Sequence, residues 1–456
     1  MKKNVSPLRS GELKPQLLEV ARLSLPAILT QITTIAMQYI DSAMVGTLGA
    51  NASAAIGLVT SSTWLFSGVT YAVSTGFSVQ VAHHIGGSRD REARSVVRHG
   101  LLTALLFAAL LCLLGVSVSG SLPRWLGGDE AILADASAYF LVFSLMLPFS
   151  QLNSLTASFL QCSGDMVTPS ILNAVMCILD VGFNALFIPR LGVLGAGIGT
   201  ASAYTVVSLI MAFRCCVADR RLHLRRGEPF RFDGSILRQA FRIGSPLAVQ
   251  EVAMNSAMVA ATKIIAPLGA VAIAANSFAV TAEGLCYMPG YGISSAATTL
   301  VGLRIGAGQH REARSFGSIC IVLGGAFMGL TALLMMLLCP FVFRMLTPDP
   351  AVRALATEVL RMELWAEPLF GVSIVAGGAL RGAGDTFAPS MLNLGSIWIV
   401  RLGLALLLVP SLGLRGMWIA MTVELCVRGL LLLARHLRSG FYDRPVHAAR
   451  SDEAVT

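Results

Sequence analysis

The chain has 456 residues, 55% of them hydrophobic and 13% charged, with a formal net charge of +9. An ordinary soluble domain carries about 25% charged residues, so there is too little polar surface to hold a particle of this size in water. The positive charges fall between apolar runs and no basic segment is long enough to fold as a binding module. This excludes nucleic acid as the partner and makes membrane topology the reason for the charge.

Hydropathy places twelve transmembrane helices at about 21–46, 53–82, 97–119, 133–158, 167–188, 192–214, 241–265, 271–300, 317–341, 357–379, 388–410 and 413–434. The opening MKKNVSPLRSGELKPQ is polar for too long to be a signal peptide and reads as a cytoplasmic tail. Lys and Arg decide the orientation. The termini and the loops that follow even-numbered helices carry 24 of them, and the opposite loops carry 5, namely Arg124, Arg190, Arg344, Arg353 and Arg415. Both termini are therefore expected in the cytoplasm, with the chain crossing the inner (plasma) membrane many times. Nine cysteines include no CxxC pair, and His83 and His84 point to different helix faces, so neither a disulfide framework nor a metal cluster is indicated.

The second half repeats the first at an offset of 220 residues. IGGSRDREARS at 85–95 faces IGAGQHREARS at 305–315, and GDMVTPSILN at 164–173 faces GDTFAPSMLN at 384–393. After one inserted residue, IPRLGVLG at 188–195 matches VPSLGLRG at 409–416. Such a register is a duplication. Six helices per copy make the copies parallel, related by a pseudo-two-fold axis along the membrane normal, with a cleft between them. The expected fold is an all-α polytopic membrane protein of two pseudo-symmetric six-helix bundles. Residues 1–220 form the first bundle with its tail, 221–440 the second, and 441–456 a cytoplasmic tail; the middle loop spans about 215–240.

A charged group at the bilayer centre costs about 2.5–3.5 kcal/mol on insertion scales, so each such residue is a functional candidate. Asp41 ends a polar stripe on helix 1 made by Gln31, Thr34 and Gln38. Asp180 and Asn184 lie one turn apart on helix 5, with Asn173 on the same face. Thr200 in helix 6 and Asn153 in helix 4 complete a polar pocket if these faces converge. Helix 7 carries Glu251, Asn255 and Thr262 on one face, with Lys263 placed to snorkel. Glu283, Glu367 and Arg401 follow on helices 8, 10 and 11. Arg401 is the counterpart of Asp180 if the inserted residue precedes it. Glu424 and Arg428 have the i,i+4 spacing of an internal ion pair. Arg91, Glu92 and Arg94, with their repeats Arg311, Glu312 and Arg314, read as solvated topology residues, with locking of an inner gate as the alternative.

IDSAMVGTLG in helix 1, the doubled GD-x-x-x-P-S element, FIPRLGVLGAGIGTASAY and VGLRIGAGQHREAR resemble the multidrug and toxic-compound extrusion (MATE) family over nearly the whole chain. The resemblance implies the MATE fold of the MOP superfamily. It also implies a secondary antiporter that exports organic, often cationic, compounds or drugs against entering protons or sodium. Asp41 fits the family's helix-1 aspartate. The DinF-like branch carries an Asn and an Asp one turn apart on helix 5; here Asp180 and Asn184 stand in the reverse order. Where the NorM-like branch places a helix-7 glutamate this chain has Met254, with Glu251 about one turn earlier, so a NorM-type sodium site is not supported and the DinF-like branch is the nearer. Glu283 in AEGLCYMPGYG resembles a variant of other bacterial members.

These readings combine into one expectation. Asp41, Asp180, Asn184 and Thr200 couple the ion, a proton on Asp41 or sodium at Asp41, Asp180 and Asn184. Gln38, Asn153, Glu251, Asn255, Glu283 and Arg401 contact substrate. No cofactor beyond the coupling ion is expected, and the partners are small organic cations and membrane lipid around a monomer. The rival is export or flipping of a lipid-linked or amphipathic substrate, but embedded charge that is mostly acidic favours a cation. A membrane-embedded enzyme has no support, since no phosphate loop, long catalytic loop or metal-spaced cluster occurs. A major-facilitator transporter fits the helix count and part of its loop signature, but Ala93 replaces a signature glycine and the doubled GD-x-x-x-P-S element is unlike it.

Overall fold

A computed structural model describes residues 10–224, 231–438 and 440–443. The expected tail from residue 444 onward, the first nine residues, and Arg225 and Arg226 of the middle loop lie outside the described residues. The described chain forms twelve helical rods. Those of the first half are helix 1 (Ser10–Gly46), helix 2 (Ala50–Gly86), helix 3 (Asp90–Val118), helix 4 (Glu130–Cys162), helix 5 (Val167–Leu191) and helix 6 (Val193–Phe213). The second half holds helix 7 (Gly234–Ile265), helix 8 (Ala270–Gly306) and helix 9 (His310–Leu346). Helix 10 is two pieces, Pro350–Glu363 and Glu367–Gly382. Helix 11 runs from Phe387 to Leu412 with a π turn at Ser396–Arg401, and helix 12 is Leu414–Arg438. Ten of the rods are long and apolar enough to cross a membrane by length and composition. The other two are helix 7, which carries Arg238, Arg242, Glu251 and Lys263, and the broken helix 10.

The turns follow the repeat. Gly164 and Gly384 sit at φ 97° and 88°, a region that favours glycine, so each GD element reverses the chain ahead of helix 5 or helix 11. Asp165 then caps helix 5, accepting from the Thr168 amide at 2.9 Å and its hydroxyl at 2.6 Å. Pro169 and Pro389 lie in the first turns, where a missing N–H is harmless. The second aspartate, Asp385, instead pairs with Arg435 of helix 12 at 2.8 Å.

Four features differ from the expectation. Helix 1 begins eleven residues early, at Ser10 rather than 21. Its added turns are polar and are held by the other half: Ser315 donates to Gln16 at 2.8 Å, and Arg304 pairs with Glu19 at 3.0 Å and Glu312 at 3.2 Å. Helix 10 breaks at 364–366, because Pro368 cannot donate to the preceding turn. Arg94 is a correction of role. It is 7% exposed and donates to the Arg221 carbonyl, so it braces the turn after helix 6 and is not a solvated topology charge. Its repeat Arg314 lies over the ring of Tyr442, at the turn after helix 12. The identical REARS segments thus do the same job twice. The middle loop is also shorter than expected, since Asp233 caps helix 7 through the Ser235 amide.

Between helices in a bilayer there is no hydrophobic drive, and close backbone packing at small residues replaces it. The two halves meet this way through helix 1 against helix 8 and helix 2 against helix 7. A Cβ added to Gly86 would lie 2.7 Å from the Leu303 carbonyl carbon, and one on Gly306 the same distance from that of His83. These two contacts exchange under the 220-residue offset, as a pseudo-two-fold axis requires. Gly76 against Ala240 and Gly292 against Ile28 continue the seam, joined by His83 Nε2 to the Gly382 carbonyl at 2.8 Å and Gln80 to the Ile236 carbonyl at 3.2 Å. All of them lie toward the end that carries the REARS loops. At the opposite end Leu48, Val259, Val271 and Ile273 are exposed.

Candidate functional site

In the first bundle, helix 1 packs on helix 5 and helix 5 on helix 6. This brings Asp41, Asp180 and Asn184 together. Asn184 Nδ2 donates to Asp41 Oδ1 at 2.8 Å and to Asp180 Oδ2 at 3.2 Å, so one amide bridges two carboxylates. Asp180 and Asn184 are fully buried, and Asp41 is partly exposed at the mouth. Asp180 Oδ1 and Asn184 Oδ1 have no partner among the described residues. Such a cluster of oxygens, out of water and one of them open to entry, suits a proton or a hard cation.

Gly199 lets helix 6 close on helix 5 behind Asn184. A Cβ there would run into the Asn184 side chain and lie 3.0 Å from its backbone nitrogen. Gly199→Ala is therefore expected to push helix 6 off helix 5 and cost about 1–3 kcal/mol of stability, as overpacking does. The check is a thermal melt in detergent; an unchanged midpoint counts against this packing.

The remaining candidates are spread out. Thr200 follows Gly199, and no described hydrogen bond ties it to the trio. Gln38 is exposed on helix 1, and Asn153 is buried on helix 4 with Oδ1 unpartnered. Two tyrosines that the sequence reading passed over, Tyr139 of helix 4 and Tyr204 of helix 6, lie within electrostatic reach of both aspartates. Tyr204 stands one turn past Thr200, a spacing that would have pointed to it.

The second bundle is arranged differently. Glu251 lies against helix 2, its Cγ and Oε2 3.0 Å from a Cβ built on Gly68, so it faces the seam between the halves. Asn255 spends its amide on the Glu251 carbonyl at 2.9 Å, a bond within its own helix. Glu283 is 6% exposed, inside the bundle. Glu363 and Glu367, on either side of the helix 10 break, are fully buried with all four carboxylate oxygens unpartnered among the described residues. Glu363 was missed, although its i,i+4 spacing to Glu367 is a visible signal. Glu424 pairs with Arg428 at 3.1 Å, as their spacing implied, and accepts from Ser396 at 2.8 Å. Arg401 points inward to the Met421 sulfur.

Two duplicated helical bundles, closed on each other at one end and holding buried carboxylates, define an integral membrane protein with the architecture of a two-repeat transporter. The MatE family profile matches twice, at residues 26–186 and 246–407. A relative from Deinococcus radiodurans, called "Probable multidrug resistance protein NorM", is 30% identical over 437 residues, covering 92% of this chain and 95% of its own. A protein of the same description from Chromobacterium violaceum is 26% identical over 443 residues, covering 92% and 94%. The crystal structure of an Asp-to-Asn mutant of the Vibrio cholerae MATE transporter VcmN superposes with a TM-score of 0.89 over 94% of this chain and 99% of that one, at 18% identity, which establishes the shared fold. The chain belongs to the MatE family.

Proposed function

We propose that this protein is a secondary active antiporter that exports organic, often cationic, compounds in exchange for protons or sodium. The observation that carries the reading is the Asp41–Asn184–Asp180 bridge. It places two carboxylates at one entry in the first bundle, where a coupling cation and a protonated carboxyl are alternatives. The relatives named as multidrug resistance proteins support the export of drugs over the flipping of lipid-linked substrates.

Asp41 binds the coupling proton and Asp180 is its electrostatic partner; sodium at Asp41, Asp180 and Asn184, with Thr200 near, is the competing arrangement. Glu251 at the seam and Gln38, exposed on helix 1, offer contacts for a cation in the cleft. Asn153 and Glu283 extend the polar lining of each bundle. The packing at the REARS end and the exposure at the other support an outward-open arrangement. By the Lys and Arg distribution the closed end faces the cytoplasm, in an inner membrane, with the protein acting as a monomer. The helix-5 Asp/Asn pair, with Met254 in place of a helix-7 glutamate, supports a place nearer the DinF-like branch.

The test is dye export from sealed proteoliposomes under an imposed pH or sodium gradient. Export driven by one gradient supports the reading and names the ion. Dye movement that neither gradient accelerates refutes it.

A further inference from the structure

The repeat register changes from 220 to 221 between Asn393, the counterpart of Asn173, and Val409, the counterpart of Ile188. The only break in α geometry described within helix 11 is the π turn Ser396–Arg401, while its counterpart helix 5 is α throughout. A π turn is how one extra residue is taken into a helix without ending it. Each residue adds about 100° of rotation, so the extra one re-aims everything after it. Without it Val400 would stand where Asp180 stands in the first bundle. With it Arg401 does.

The whole first-bundle site can then be read across. Asp41, Asp180, Asn184 and Thr200 map to Ala261, Arg401, Ala405 and Met421. A carboxylate, an amide and a hydroxyl become two methyl groups and a thioether, and the second carboxylate becomes a guanidinium. The contact of Arg401 with Met421 repeats the juxtaposition of helices 5 and 6 at the first site. The charged groups within electrostatic reach of Arg401 are Glu424, Glu283, Arg428 and Glu363. Arg428 is already engaged by Glu424.

We propose that Arg401 is a tethered cation that fills the second bundle's counterpart of the Asp41–Asp180 site and closes that bundle to an external coupling ion. The inserted residue places it there. Its guanidinium stays charged at every accessible pH, so it cannot be exchanged as a proton or sodium ion is. Its single charge offsets one of the two buried carboxylates within its reach, Glu283 or Glu363, which would otherwise recruit a cation of its own. The first bundle alone then changes charge during the cycle. This rests on the antiport reading, but a comparison of wild type with Arg401 variants is informative whichever first-bundle residue couples.

The experiment counts coupling ions exchanged per bound cationic dye on the purified full chain, protons by pH-stat and sodium by retention of labelled ion. Arg401→Gln is expected to raise the count by about one over wild type, because the carboxylate left without its countercharge now takes up an ion that the dye must expel. Arg401→Lys, which keeps a tethered charge, is expected to leave the count at the wild-type value. An unchanged count in folded Arg401→Gln, or a raised one in Arg401→Lys, overturns the proposal. A merely structural arginine would alter stability in both variants without changing the count. If Arg401→Gln does not fold, Asp41→Asn/Asp180→Asn with Arg401 intact decides. No exchangeable ion sensitive to Glu283→Gln supports the proposal, and one that Glu283→Gln removes refutes it. Failure of the antiport reading would show separately, as dye transport indifferent to either gradient.

Discussion

Asp41→Asn is expected to abolish gradient-driven export while the protein still folds and inserts. The substituted amide has the carboxyl's shape and cannot lose a proton, so it holds the site in a neutral form. Its partner Asn184 Nδ2 remains able to donate to the new side-chain oxygen. Folding should therefore be spared. Function should not, because exchange requires that proton and cation expel each other. Reciprocal linkage of about 1–3 kcal/mol corresponds to a 5–150-fold change in dye affinity with the protonation of the site. The sign is definite: in the wild type, affinity for a cationic dye rises as pH rises, since deprotonation leaves an anion for the cation to oppose. In Asp41→Asn the titration should flatten. Dye binding measured by fluorescence polarisation across pH, alongside transport in proteoliposomes, gives both readouts. Unimpaired pH-driven transport in this variant would falsify the assignment to Asp41.

Tying helix 1 to helix 9 at the closed end is expected to stop transport outright. Gln16 and Ser315 touch across the two halves at 2.8 Å, beside the Arg304–Glu19 pair at 3.0 Å. The exposed ion pair by itself is worth little, in the range of about 0–1 kcal/mol. Its single loss should be mild, because the glycine seam behind it also holds the end shut. A covalent tie is another matter, since alternating access requires these surfaces to separate. Gln16→Cys/Ser315→Cys in a cysteine-free background, bridged with a short cleavable thiol reagent, should reduce export to background and regain it on cleavage. Continued turnover of the bridged protein would mean that this end does not open during transport.

Much of this molecule is legible in its sequence, and the reasons are physical. A membrane helix needs a run of apolar residues, because only satisfied backbone survives in hydrocarbon; the rods therefore show in hydropathy. A duplication leaves its register in the chain, and Gly164 and Gly384 mark the same turn in both copies. Charge out of water is costly enough to be rare, so Asp41, Asp180, Glu251 and Glu283 stand out one by one. Helical periodicity then put Asp180 and Asn184 on one face. What only the tertiary structure decided is which faces meet. Asn184 bridges both aspartates because helix 1 packs on helix 5, with helix 6 closing over the other side of Asn184 at Gly199, and nothing local to helix 1 encodes that approach. Tyr139 and Tyr204 join the site from helices with other work in their patterns. Arg94 looked like a topology charge because its partner, the Arg221 carbonyl, lies 127 residues away. The first turns of helix 1 were invisible to hydropathy because their partners are polar groups of the other bundle. The inserted residue was visible as a shift in register, but its effect was not. Whether one extra residue becomes a loop, a kink or a π turn depends on the packing around helix 11, and that packing is what turns Arg401 inward.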